Sequence, residues 1–172
     1  MIKRLIAVIV MVLVFSVVAL ADEFCDKPLG MTFFSTREYV EAVMSRDYGQ
    51  MSLKKDGFTT WMKDGKNYGC FFRQNKLVGL SIVMTGDEVP ENIKKIGDAF
   101  IRMTQALEKD SDWNFEKKFE DANGSLKMMG VKYSCKKNPI EKMEITITKD
   151  PPNKLVAIDL FSYLSGFGVR EH

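Results

Sequence analysis

Leu77-Val78-Gly79-Leu80-Ser81-Ile82-Val83-Met84 is an apolar run interrupted only by one glycine and one serine. It follows a polar turn at Gln74-Asn75-Lys76, and a short aliphatic run bounded by a turn predicts a strand buried deep in a sheet. Immediately upstream, Asp64-Gly65 favours positive backbone angles and predicts a tight hairpin between a strand near 52–62 and another near 67–73. Further upstream the period becomes helical. Ser35 is placed to cap a helix, Glu38 to reach back to its amide, and Phe34 and Tyr39 stand at the spacing of a hydrophobic staple. Tyr39, Val40, Val43 and Met44 continue one apolar stripe, and Gly49 marks the end.

Downstream the same order of elements returns. A helix is expected from Pro90, a residue tolerated in a first turn, with Ile93, Ile96, Phe100, Met103 and Leu107 on one face and a stop near Lys109. Gly97 shares that side, and its cost of about 1 kcal/mol against alanine suggests close packing as compensation. Trp113, Phe115 and Phe119 then alternate with polar residues as in a half-buried strand. Asn123-Gly124 gives the next hairpin turn, and strands follow at 126–136, 141–149 and 154–164. Tyr68-Gly69-Cys70 leading to Leu80–Asp87 parallels Tyr133-Ser134-Cys135 leading to Met143–Asp150. The expected class is therefore α+β, two helices packed on antiparallel sheet, with a duplicated helix-plus-three-strand unit as the candidate internal repeat (28–87 and 90–165) and an extra C-terminal strand. Chance recurrence of similar hairpins is the competing explanation.

The N-terminus adds an address. Lys3 and Arg4 precede an apolar stretch, and the segment ends in Ala19-Leu20-Ala21 before Asp22 and Glu23, the layout of a secretory signal peptide over residues 1–21. The stretch from Leu5 to Ala21 also reaches the lower limit of a membrane-spanning helix, roughly 17 residues, so an uncleaved anchor is the alternative. Cleavage would leave residues 22–172 as a single exported domain with 23 basic and 23 acidic side chains. A formally neutral chain gives no electrostatic reason to expect nucleic acid as a partner, and membrane contact is expected only through the N-terminal segment before cleavage. The expected location is the periplasm of a Gram-negative host, and otherwise the secreted fraction.

Export also places three cysteines, Cys25, Cys70 and Cys135, in an oxidising compartment where at most one intramolecular bridge forms. Cys25 with Cys70 would staple the N-terminal segment to the sheet, and Cys70 with Cys135 would link the halves. Either closes a loop worth about 4 kcal/mol, so loop entropy does not choose between them. A reactive thiol is the third reading, without a Cys-x-x-Cys motif to support it.

Catalytic chemistry is thin. The one histidine, His172, is the last residue, which removes histidine-based triads and ordinary zinc sites unless the terminus supplies a ligand. Phosphate-binding and nucleophile-elbow motifs are missing from the sequence. Asp110 with Asp112, and Glu120 with Asp121, are the densest carboxylates, and solvated loop charge accounts for them better than calcium binding or glycoside hydrolysis. No cofactor is expected. Trp61, between Thr60 and Met62 near a turn, is the candidate exposed anchor for a partner. Asn123-Gly124-Ser125 fits both a glycosylation acceptor and a plain turn.

Pro28-Leu29-Gly30-Met31-Thr32, leading into a helix with Glu38-Tyr39-Val40 and then an aromatic hairpin, resembles the start of two kinds of small exported helix-plus-sheet protein. These are the SmpA/OmlA outer-membrane assembly lipoproteins and the tandem-unit β-lactamase inhibitor proteins. The resemblance covers residues 28–85 and implies a surface that binds proteins, without a catalytic centre. The lipid-bearing cysteine of the assembly lipoproteins is missing after Ala21, and no functional residue carries over. The expectation is an exported, non-catalytic protein-binding domain: an inhibitor, immunity or envelope accessory factor whose partner is another exported or envelope protein. The alternatives are a small-ligand carrier or carboxylate-dependent enzyme, and an anchored envelope component.

Overall fold

The computed structural model describes residues 28–167. The signal-peptide reading, Cys25 and His172 lie outside them. Among the described residues the elements run α1 (Arg37–Tyr48), β1 (Met51–Lys55), β2 (Phe58–Lys63), β3 (Lys66–Arg73), β4 (Lys76–Asp87), α2 (Pro90–Lys109), β5 (Trp113–Asn123), β6 (Leu126–Cys135), β7 (Glu141–Asp150) and β8 (Leu155–Leu164). All eight strands form one antiparallel sheet in the order β1-β2-β3-β4-β8-β7-β6-β5.

This corrects the expected class of two helices packed on a sheet built from a helix-plus-three-strand unit. Strand accounts for 52% of the described residues against 25% for helix, and four strands, not three, follow the first helix, as four follow the second. The missed division lies at Asp56-Gly57, where the strand expected over 52–62 breaks into β1 and β2. Gly57 adopts φ 70°, and Lys55 pairs with Phe58 across the turn. It is the same Asp-Gly device as Asp64-Gly65, eight residues earlier, and both turn a hairpin in two residues. Arg73 and Lys76 likewise face each other across Gln74 and Asn75, both at positive φ.

The cap of α1 is one residue later than the capping-box reading. Thr36, not Ser35, accepts from the Tyr39 amide, at 3.4 Å. Ser35 is engaged elsewhere, its carbonyl accepting from the Leu77 amide at 3.0 Å while the Phe34 amide donates to the Leu77 carbonyl at 2.8 Å. Phe34 and Tyr39 are exposed, so they form no staple. Helix α2 keeps the expected bounds, Pro90–Lys109.

Strand alternation gives the sheet two distinct faces. A row of directly paired residues, Trp61-Tyr68-Ile82-Leu160-Ile145-Val131, crosses six strands on the first face, and every member is buried. The buried residues of both helices, Val40 and Met44 of α1 and Ile96, Ala99 and Leu107 of α2, join the same apolar cluster. The two edges are defended differently. Strand β1 is short, fully exposed and carries Lys54 and Lys55, while β5 has a bulge between Phe115 and Lys117 beside Lys118. Charge and bulges on an edge discourage pairing with a second chain.

Gly97 does not have the close neighbour expected of it. A Cβ built there meets nothing within 4 Å. Gly97→Ala is therefore expected to stabilise the fold by about 1 kcal/mol, the helix-propensity difference. Urea denaturation checks this, and a lower midpoint would mean that the helix needs the glycine.

Candidate functional site

The second face carries the unusual chemistry. Three successive paired rows cross it: Phe58-Phe71-Gly79-Tyr163-Lys142-Ser134, then Thr60-Gly69-Ser81-Phe161-Glu144-Lys132, then Met62-Asn67-Val83-Asp159-Thr146-Gly130-Phe119. Aromatic rings run through the first two. Ring centroids lie 4.7 Å apart for Phe58 and Phe71, 5.2 Å for Phe71 and Phe161, and 4.9 Å for the stacked pair Phe161 and Tyr163. Each such pair is worth roughly 0.5–1.5 kcal/mol beyond its buried area.

Beside this ladder, β6, β7 and β8 bring together an ammonium, a hydroxyl and a carboxylate. Lys132 Nζ donates to Tyr163 Oη at 2.7 Å, and Tyr163 Oη donates to Glu144 Oε1 at 2.5 Å. Lys132 Nζ also lies 3.3 Å from Glu144 Oε1 and 5.4 Å from the centre of the Tyr163 ring. Neighbouring Lys142 pairs with Glu116 at 2.5 Å. Burial alone would raise the Glu116 carboxyl, but the Lys142 hydrogen bond and charge outweigh it and hold the group below its ordinary value.

Glu144, Thr146, Phe161 and Tyr163 are only 1–2% exposed. Yet Phe161 and Tyr163 lie outside the apolar cluster that both helices join. Register and burial therefore agree that this face is not lined by the helices' buried side chains. A cavity of about 290 Å³ opens at its β5 side, lined by Lys117, Phe119, Glu120, Asp121 and Glu144.

Small residues let the rings lie flat. A Cβ at Gly130 would stand 2.6 Å from Thr146 Cγ2, 2.7 Å from Phe119 Cζ and 2.8 Å from the Ile145 carbonyl oxygen. Backbone cannot move aside as a side chain can. Gly130→Ala is expected to cost about 1–3 kcal/mol by overpacking, read as a lowered denaturation midpoint.

The residues singled out in the sequence fall elsewhere. Trp61, the expected exposed anchor, is 0% exposed on the first face, and its Nε1 donates to Ser45 Oγ of α1 at 3.2 Å. A side chain with no accessible surface offers a partner nothing, so that reading is corrected. Trp113 is buried as expected of a core residue, whereas Phe115 is 52% exposed against the Tyr133 ring. Burial and the charge of Glu108 push the Tyr133 hydroxyl up to about 12.

Asp110 accepts from the Asp112 amide at 2.8 Å, and Asp112 pairs with Lys137 at 2.6 Å, an ordinary loop arrangement. Glu120 and Asp121 line a groove of about 510 Å³ with Lys127, Met128, Met129, Ile147 and Lys149. Strands β2 and β5 stand far apart in the strand order, so no pocket gathers Trp61 with these acidic groups. Cys70 is a free thiol with no exposed surface.

Sequence reasoning missed Lys132, Glu144 and Tyr163 because each occupies an unremarkable polar or alternating position on its own strand. Only the register of β6, β7 and β8 joins them. In comparisons with known proteins, no protein-family model matches the chain and no curated protein matches it.

Proposed function

We propose that the chain is an exported, non-catalytic protein-binding domain, and that the exposed apolar side chains of β5 and β6 belong to the surface it offers to another exported or envelope protein. One observation carries this reading: Phe115 of β5 and Met129 of β6 stand 52% and 48% exposed at the β5 end of the sheet, large apolar side chains left open to a partner. Interface centres favour aromatic and methionine anchors. The signal-peptide layout supports the same reading, as does the resemblance to exported proteins that work by presenting a surface.

The partner chemistry that fits is an apolar segment flanked by charges that meet Glu120, Asp121, Lys127 and Lys149, which rim the neighbouring groove. Residues 22–172, purified from the native envelope after crosslinking, are expected to carry a partner that protects amides of the edge strand β5 from hydrogen exchange. Phe115→Ser is expected to abolish that protection while α2 stays protected. Protection confined to β1 and β2, or none at all, overturns the reading.

The groove between β5, β6 and β7 favours a second reading, a small-ligand carrier, because methionine and isoleucine floor a space rimmed by both signs of charge. Native mass spectrometry of the exported protein separates the two. A small molecule retained at fixed stoichiometry and lost in Met129→Lys would support the carrier.

A further inference from the structure

The long free edge of the sheet carries both signs of charge. Strand β5 ends the strand order, and from Asn114 to Ala122 every side chain except the half-buried Phe119 is exposed. Its bulge lies between Phe115 and Lys117, so the stretch from Lys117 to Asn123 pairs regularly with β6. Lys117 and Lys118 stand on one side of Phe119 in that stretch, Glu120 and Asp121 on the other. Among the described residues no ion pair engages any of these four charges.

The pairing with β6 fixes which backbone groups of β5 are open. Gly124-Ser125 is a two-residue turn, so Asn123 and Leu126 are a hydrogen-bonded pair, and along an antiparallel ladder every second pair is bonded in the same way. Asp121 and Phe119 therefore direct their amides and carbonyls at β6, while Ala122, Glu120 and Lys118 turn theirs to the free edge. The Ala122 amide fits this phase, donating to the neighbouring Asp121 carboxylate at 2.8 Å.

A further antiparallel strand joins such an edge by setting its own outward residues against these. For a second copy of β5 related by a two-fold axis, registers centred between residues fail, because they set outward residues against inward ones. Centred on Lys117, Lys118, Glu120 or Asp121, the axis sets that charge against its own copy. Centred on Phe119, it sets Lys118 against Glu120 on the first face and Lys117 against Asp121 on the second, each twice by symmetry. The two Phe119 rings then lie side by side between the second-face pairs. Charges that hold other strands away from this edge are thus complementary to themselves in one register. Strand β1 has no such match, since its charges are Lys54 and Lys55 and Lys54 already pairs with Glu41 at 2.5 Å.

We propose that two copies of the chain pair edge to edge through β5, antiparallel, with Phe119 on the two-fold axis, joining two eight-stranded sheets into one. The pairing goes beyond the surface proposed above and does not depend on it. Phe115 and Met129 lie outside the stretch from Lys117 to Asp121 and stay open to another protein.

Sedimentation velocity of the protein as processed by its host should show a monomer–dimer equilibrium with no larger species. Lys118→Glu and Glu120→Lys, both at exposed positions, should each weaken dimerisation by about 10-fold or more, because each sets like charges across the axis twice. Mixed in equal amounts, the two variants should form a heterodimer as tight as the native dimer, since opposite charges face each other again. On dimerisation the Lys118 and Glu120 amides should exchange more slowly with solvent, while the Phe119 amide, directed at β6, should not change. A protein that stays monomeric at millimolar concentration, a dimer indifferent to both variants, or species that grow beyond the dimer overturns the proposal. A dimer whose envelope preparation carries no other protein upholds the pairing and overturns the surface reading, and a monomer that carries one does the reverse.

Discussion

Trp61→Ala is expected to destabilise the protein by about 3–5 kcal/mol, a large part of the stability of a domain this size. The indole is fully buried at the end of the row that crosses the first face, paired with Tyr68 and bonded to Ser45. Removing it takes away apolar contact, leaves a cavity that neighbouring strands can only partly close, and strips Ser45 Oγ of its donor. Ser45→Ala breaks the same hydrogen bond from the other side, leaving the indole N–H without its acceptor, and should cost about 1 kcal/mol. Urea denaturation followed by far-ultraviolet circular dichroism measures both. A loss under 1 kcal/mol for Trp61→Ala would mean that the ring is not in the core, and would restore the anchor reading.

Lys132→Met should cost about 3 kcal/mol or more, through charge rather than volume. Lys132 and Glu144 have side-chain exposures of 15% and 3%, so the substitution removes the ammonium while a carboxylate stays inside the protein. Breaking one side of a buried pair typically costs about 3–5 kcal/mol, whereas replacing both sides by apolar groups of similar volume is often near neutral. The double variant Lys132→Met with Glu144→Leu should therefore recover most of the loss. A double-mutant cycle reads the coupling directly. If the double variant were as unstable as the sum of the single ones, the two charges would not be interacting.

The contrast between these residues shows what a linear reading can reach. Helix α2 was legible because a 20-residue amphipathic period with proline at its start is local information. The turns at Asp64-Gly65 and Asn123-Gly124 were legible for the same reason, being fixed by two residues each. The equal signal at Asp56-Gly57 was passed over because Leu53, Phe58 and Trp61 look like one continuous strand. Trp61 was misplaced because Thr59 and Thr60, on opposite faces, are both buried, so burial no longer alternates with polarity. The cap fell at Thr36 because Ser35 and Phe34 are bonded to Leu77, more than 40 residues along the chain. The second face depended on register between distant strands, which no window along the chain contains.

Strand β8 is the last in sequence of the eight described strands and sits in the middle of the sheet, hydrogen-bonded to β4 on one side and β7 on the other. A chain delivered from its N-terminus can assemble α1 and its four strands first, but β4 then stands as an open, strongly apolar edge until residues 155–164 arrive. Closing the seam joins residues almost half the chain apart, a slow step for a β topology. During that delay the unpaired edge is the part of the molecule most exposed to aggregation. Pairing of β8 with β4 and β7 together is the step that takes this edge out of reach of other chains.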